Sequence, residues 1–156
     1  MKAKSYLEQI KILDAKINSD IEELAQLEAL ATKTTSVLGG ERVQASGSQQ
    51  KMADCVAKIV EMKMQIEEEI DAYIEYKKDA RNVICACDAD CLTLIHKRYF
   101  QFKTWERIAV EMNFTYQWVS GGLHQRALSQ VQRILDERDG DQDGSGNYQC
   151  KTCKAD

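Results

Sequence analysis

Met52, Val56, Ile59, Lys63, Ile66, Ile70, Tyr73, Lys77, Ala80 and Ile84 follow one another by alternating steps of four and three, and no other feature of the 156-residue sequence restricts its fold so tightly. Steps of that size gather side chains on one stripe of an α-helix, and their strict alternation is the heptad pattern of a coiled coil. The pattern predicts a helix from about residue 50 to 84, with Lys63 and Lys77 at two inner positions. An earlier stripe, Tyr6, Ile10, Leu13, Ile17, Ile21, Leu24, Leu27 and Ala31, predicts another helix from about 3 to 32. The sequence contains no Pro, so neither helix is stopped or kinked by that residue.

Two stripes of about 30 residues joined by a loop predict an antiparallel helical hairpin in which each helix covers the apolar face of the other. Self-association through the second stripe is the competing arrangement, and the sequence does not choose between them. Between the stripes runs TKTTSVLGGERVQASGSQQ, residues 32 to 50, rich in Gly, Ser, Thr and Gln and without either periodicity. Its composition reads as a linker, taken as residues 33–50 within a coiled-coil region 1–88.

From residue 89 the apolar pattern shortens. Leu92, Ile95 and Tyr99 are spaced for one short helix, and Trp105, Ile108, Ala109 and Met112 for another. Asn113 stands where a left-handed residue ends a helix. Thr115 can cap a last helix whose inward face is Val119, Leu123, Ala127, Val131 and Ile134 or Leu135. A short helix, a turn holding an Asn, and a second helix opened by a hydroxyl residue make the outline of a helix-turn-helix, here spanning residues 89–138. The expected fold class is therefore all-α: a long N-terminal helical coiled-coil hairpin followed by a C-terminal helix-turn-helix domain.

Charge supports a division of labour. Residues 1–88 hold 12 basic and 16 acidic side chains, residues 89–138 hold 7 and 5, and residues 139–156 hold 2 and 4. Only the middle segment is net positive, so only there is a polyanion attracted. In a helix-turn-helix the first turns of the second helix enter the major groove, which puts Tyr116, Gln117 and Ser120 against bases, with His124 and Arg126 at the far end. Lys97, Arg98, Lys103, Arg107, Arg126 and Arg133 are candidates for phosphates, and the helix starts at Thr104 and Thr115 add backbone amide donors. For each of these the structural reading stands beside the functional one: the basic residues as a solvated face, the two His as surface or helix-end residues, and Trp105 and Trp118 as core or rim aromatics.

The segment LIHKRYFQFKTWERIAVEMNFTYQWV, continued by LHQRALSQV, resembles the fourth region of bacterial sigma factors, which reads promoter DNA. Residues 1 to about 138, with AKSYLEQI, GERVQASGSQQKMADCVAKIV and YFQFKTWERIAVEMN, resemble a family of small phage and prophage proteins related to late-gene activators of the ArpU and RinA kind. The resemblance implies a transcriptional regulator with Thr115 to about Val131 as recognition helix, braced by Thr104 to Met112. In the sigma-like pattern the apolar residue after the Val119 position comes three residues later. Here Leu123 comes four later, as though one residue had been inserted at SGG, residues 120–122. The two glycines remove side chains from the outer face, and they mark where the recognition helix is expected to bend.

Other classes of function fare worse. No nucleophile and base arrangement, phosphate-binding loop or dense carboxylate cluster stands out, so no enzyme is expected. No window approaches the roughly 18 apolar residues of a membrane span, and the location expected is the host cytoplasm with reduced thiols. The end of the chain, residues 139–156, reads as a disordered acidic tail. In it Asp139, Asp141, Asp143 and Gly144 copy the opening of a calcium loop, but Cys150 stands where the bidentate Glu belongs. Cys150 and Cys153 are half a zinc site, which Cys87 and Cys91 or His96 would have to complete. No metal or cofactor is therefore assigned. The partners expected are double-stranded DNA and host RNA polymerase, with a homodimer through the N-terminal helices. The alternatives are a DNA-packaging adaptor resembling a terminase small subunit, and a protein-interaction module that never reads bases.

Overall fold

The computed structural model describes residues 1–37 and 46–140, and every regular element among them is helical. Helix α1 runs Ala3–Val37 and α2 runs Ser46–Ile84. The shorter helices are α3, Ala89–Ile95, which continues into a π turn at His96–Phe100, and α4, Trp105–Met112. A second π turn, Trp118–Leu123, leads into α5, His124–Gly140. The two long helices trim the expected linker at both ends, because α1 goes on five residues past 32 and α2 starts four before 50. The remainder of the linker, 38–45, lies outside the described residues, as do residues 141–156 of the expected tail with Cys150 and Cys153. No described helix is long and apolar enough to cross a membrane.

Packing sorts the chain into two compact units. One consists of Met1–Ile12 and the described chain from Ile74 on; the other is Leu13–Tyr73, so the boundary between them falls inside both long helices. In the second unit the α1–α2 pairs are Asp14 with Tyr73 at 2.8 Å, Lys16 with Glu69 at 2.9 Å and Glu28 with Lys63 at 2.7 Å. Among the described residues only Ile17 and Ile66 are buried there, while Val56, Val60 and Met64 are 51%, 52% and 59% exposed. The heptad stripe is thus covered only in part. Val56 stands outside, and the inner-position Lys63 reaches solvent and meets Glu28.

The other unit holds most of the core. Leu7, Ile10, Ile84, Leu94, Ile95, Ile108 and Val119 are closed from solvent, with Leu123, Ala127, Val131 and Leu135 beside them. The last helix therefore turns inward the face its spacing predicts, with Leu135 in preference to Ile134. The first residues of α1 are fastened by hydrogen bonds as well as by burial. The Tyr6 hydroxyl donates to Asp79 at 2.6 Å, the Tyr76 hydroxyl donates to the Tyr6 carbonyl at 2.8 Å, and the Ala3 amide donates to Gln132 Oε1 at 2.7 Å. Arg138 completes the cluster by donating to Asp79 at 2.9 Å. Burial and the neighbouring Asp79 carboxylate raise the Tyr6 phenol well above its ordinary pKa, so it remains a donor.

Each π turn is one residue more than an α-helix would use, and each changes which side chains face inward. In α3 the spacing of Leu92, Ile95 and Tyr99 predicts the buried stripe, yet Leu92 is half-buried while Cys91 and Leu94 are closed off. The turn at His96–Phe100, closed by the Gln101 amide donating to the His96 carbonyl at 3.1 Å, lets the adjacent Tyr99 and Phe100 both reach the core.

Candidate nucleic-acid interface

Three short stretches build the candidate surface, and their local sequence explains each. The turn after α3 places Phe102 in the left-handed region, at φ 53°, a conformation ordinarily left to Gly or Asn. The Lys103 amide donates to the Lys97 carbonyl at 3.0 Å and Arg98 Nη1 donates to the Lys103 carbonyl at 2.8 Å, which holds that turn closed. Thr104 then caps α4, its hydroxyl accepting from the Arg107 amide at 3.4 Å. At the far end Asn113 is left-handed, φ 55° and ψ 38°, and the Phe114 amide returns to the Ala109 carbonyl at 3.0 Å. This six-to-one bond is the Schellman closure, and it fixes the direction in which the chain leaves α4.

Two residues later the Thr115 hydroxyl accepts from the Trp118 amide at 3.3 Å and starts the next helical stretch. Tyr116 is 48% exposed and Gln117 is exposed, and among the described residues neither side chain has a hydrogen-bonding partner. They stand on the outside of the first turn, as the spacing predicts. Behind them Ile108, Ala109, Val119 and Leu123 are buried, so the crossing of α4 and the following helix is packed by the residues expected there.

Gly121 and Gly122 fall inside the π turn Trp118–Leu123. This wider turn takes in the SGG stretch, residues 120–122, and no Gly among the described residues has positive φ. Nothing surrounds the position a Gly121 side chain would take. Gly122 is different, for a β-carbon there would stand 2.5 Å from Cζ3 of Trp118. The indole lies across the second glycine and covers part of the face that the missing side chains would otherwise occupy.

Four of the basic candidates fall into two groups. Lys97, Lys103 and Arg107 converge on one carboxylate: Glu111 accepts from Lys97 Nζ at 2.6 Å, from Lys103 Nζ at 2.7 Å and from Arg107 Nε at 3.1 Å. Those three cations, Lys103 first, hold the Glu111 carboxyl at a pKa of about 2. Three positive charges around one negative leave a surplus of two, and the Arg107 side chain is 72% exposed. Arg126 is placed otherwise. It pairs with Asp88, which also accepts from Gln130 Nε2 at 2.5 Å, so its guanidinium is held against the start of α3.

Ser120 and His124 likewise turn from the outer face. The Ser120 hydroxyl donates to the Tyr116 carbonyl at 2.8 Å. His124 Nε2 lies 2.9 Å from the Tyr99 hydroxyl, and its ring meets Trp105 edge to face with centroids 4.8 Å apart. Of the residues singled out in the sequence, the structure therefore gathers Lys103, Thr104 and Arg107 around α4 and leaves Thr115, Tyr116 and Gln117 at the next helix start. Ser120, His124 and Arg126 are engaged elsewhere.

The part played by Glu111 was not read from the sequence. Its pairing with Arg107 one helical turn earlier is visible there, but its pairing with Lys97 depends on the fold. Burial pushes the Cys87 thiol up to about 11 and raises Cys91 as well. Comparison of the chain with known protein families, curated proteins and solved structures found no match.

Proposed function

We propose that the chain is a DNA-binding transcriptional regulator in which α4 and the helix beginning at Tyr116 act as a sigma-region-4-like helix-turn-helix. One observation carries the reading: the left-handed Asn113 and the Thr115 cap orient a second helix whose first exposed side chains, Tyr116 and Gln117, have no partner among the described residues. An exposed amide that bonds nothing at a helix start is free to meet the major-groove edge of an adenine with both its oxygen and its NH2 group. The cations at Glu111 supply the positive field beside it, with Arg107 the most available to a phosphate. Ser120, His124 and Arg126 have smaller roles in this reading than the sequence alone suggests.

In this reading the N-terminal helices act as an antiparallel hairpin, which the Asp14–Tyr73, Lys16–Glu69 and Glu28–Lys63 pairs support, and they bring two copies together. Val56, Val60 and Met64, four residues apart on α2 and half exposed, support a homodimer through that helix. A phage late-gene promoter and host RNA polymerase are the partners this assigns. The same exposed stripe is the specific support for the second reading, a ring-forming packaging adaptor. Mass in solution separates them, since a regulator is a monomer or dimer and a ring is a larger oligomer.

The direct test is DNA affinity measured against salt. Binding that weakens as salt rises, with sequence preference relaxed by Gln117→Ala and all sequences weakened alike by Arg107→Ala, supports the reading. A folded protein that binds no DNA at low salt removes it.

A further inference from the structure

Beside the proposed helix-turn-helix lies a cleft of about 360 Å³, lined among others by Lys4, Lys11, Arg98, Phe102, Trp105 and His124. Its size is within the roughly 300 to 1,000 Å³ typical of small-ligand sites. Three cations face it with one carboxylate, Glu8, which meets Lys4 at 3.7 Å. Lys11, seven residues from Lys4 and therefore on the same face of α1, has no ionic partner among the described residues. The aromatic side is equally built. Phe102, Trp105 and His124 are each only half-buried, and the Arg98 guanidinium stands 4.4 Å from the centre of the Trp105 ring. The strained backbone of Phe102, left-handed without being Gly, is spent where that side chain reaches the cleft.

We infer that this cleft binds a nucleotide, with Lys4, Lys11 and Arg98 taking the phosphate and the Phe102, Trp105 and His124 rings taking the base. Cations set beside accessible rings are the pairing that nucleotides fit, because every base offers a π face and every phosphate a negative charge. An acidic peptide would use the cations and leave the rings without a planar partner. The inference goes beyond DNA reading and does not depend on it, since none of these residues belongs to the exposed first turn at Tyr116 and Gln117. Burial first, then Lys4 and Arg98, hold the His124 pKa below its ordinary value, with Glu8 opposing. An anion bound there reverses the effect of the two cations.

The two His of the chain make the test direct, because His96 serves as an internal control. The ring signals of both are titrated by NMR in the full-length protein, alone and with adenosine monophosphate, adenosine, inorganic phosphate, single-stranded hexathymidylate or an acidic peptide. Saturable binding of adenosine monophosphate or hexathymidylate that raises the His124 pKa and leaves His96 unmoved is the expected result. Lys4→Ala and Lys11→Ala, at exposed positions, each weaken that binding by about tenfold without changing the circular dichroism spectrum. Tighter binding of the hexanucleotide identifies a nucleic-acid strand as the source, and tighter binding of the mononucleotide identifies a free one. The inference is overturned if neither shifts His124 at millimolar concentration, if inorganic phosphate does as well as the mononucleotide, or if the acidic peptide alone binds.

Discussion

The indole of Trp118 occupies the space that a side chain on Gly122 would need, with only 2.5 Å between Cζ3 and an added β-carbon. Its neighbour Gly121 meets nothing within 4 Å. Two adjacent glycines of the same π turn thus have different reasons to be Gly.

Replacing each with Ala separates those reasons. Gly121→Ala gains the helix propensity of Ala without a clash and stabilises the protein by up to about 1 kcal/mol in a denaturant titration. Gly122→Ala displaces the indole, so it gains less or loses, and its Trp fluorescence shifts. In a Trp118→Ala background Gly122→Ala behaves like Gly121→Ala; if the two glycines respond alike in the native background, the contact is unimportant.

Acid should expose the role of Glu111. Its carboxyl pKa is depressed to about 2 in the folded chain, against roughly 4.3 for an unfolded Glu. Stability from that group is therefore complete above the unfolded value and is lost as pH falls toward 2. Thermal midpoints of Glu111→Gln and the native protein converge over that window and differ above it, with the variant lower. Parallel curves would remove the cluster as a source of stability.

Asp88 holds Arg126 and Gln130, and the two hydrogen bonds lower its own pKa, Gln130 first. Asp88→Ala releases a cation near the proposed DNA surface while loosening the start of α3. The expected combination is a lower thermal midpoint with stronger DNA binding at low salt. Weaker binding in a folded variant would place Arg126 away from the nucleic acid.

Leu94 is fully enclosed, whereas Val110 is 77% exposed on the neighbouring helix α4. Leu94→Ala costs about 2 to 5 kcal/mol through lost burial and the cavity left behind. Val110→Ala changes stability by less than about 0.5 kcal/mol. Chemical denaturation of the two variants measures both values.

Much of the fold was legible because it depends on local spacing. The caps at Thr104 and Thr115, the left-handed Asn113 and the inward face from Val119 to Leu135 are all set by side chains within a turn or two of one another. The ends of α1 and α2 were less so, since 32–37 and 46–49 carry no apolar period and helix there continues from the stripe beside it. The π turns escaped for another reason. Val119 and Leu123 four apart satisfy an ordinary helix, so their spacing gives no sign of the wider turn between them. At the candidate interface, exposure of Tyr116 and Gln117 followed from helix position, but the diversion of His124 to Tyr99 and of Arg126 to Asp88 depends on partners 25 and 38 residues away.

Glu111 also gives the basic cluster a counter-ion of its own. A nucleic acid approaching Lys97, Lys103 and Arg107 meets cations already neutralised in part by the protein, so fewer mobile salt ions are set free as a phosphate replaces that carboxylate. Affinity would then depend on salt less steeply than three cations suggest, and more on how readily a single glutamate gives up its place.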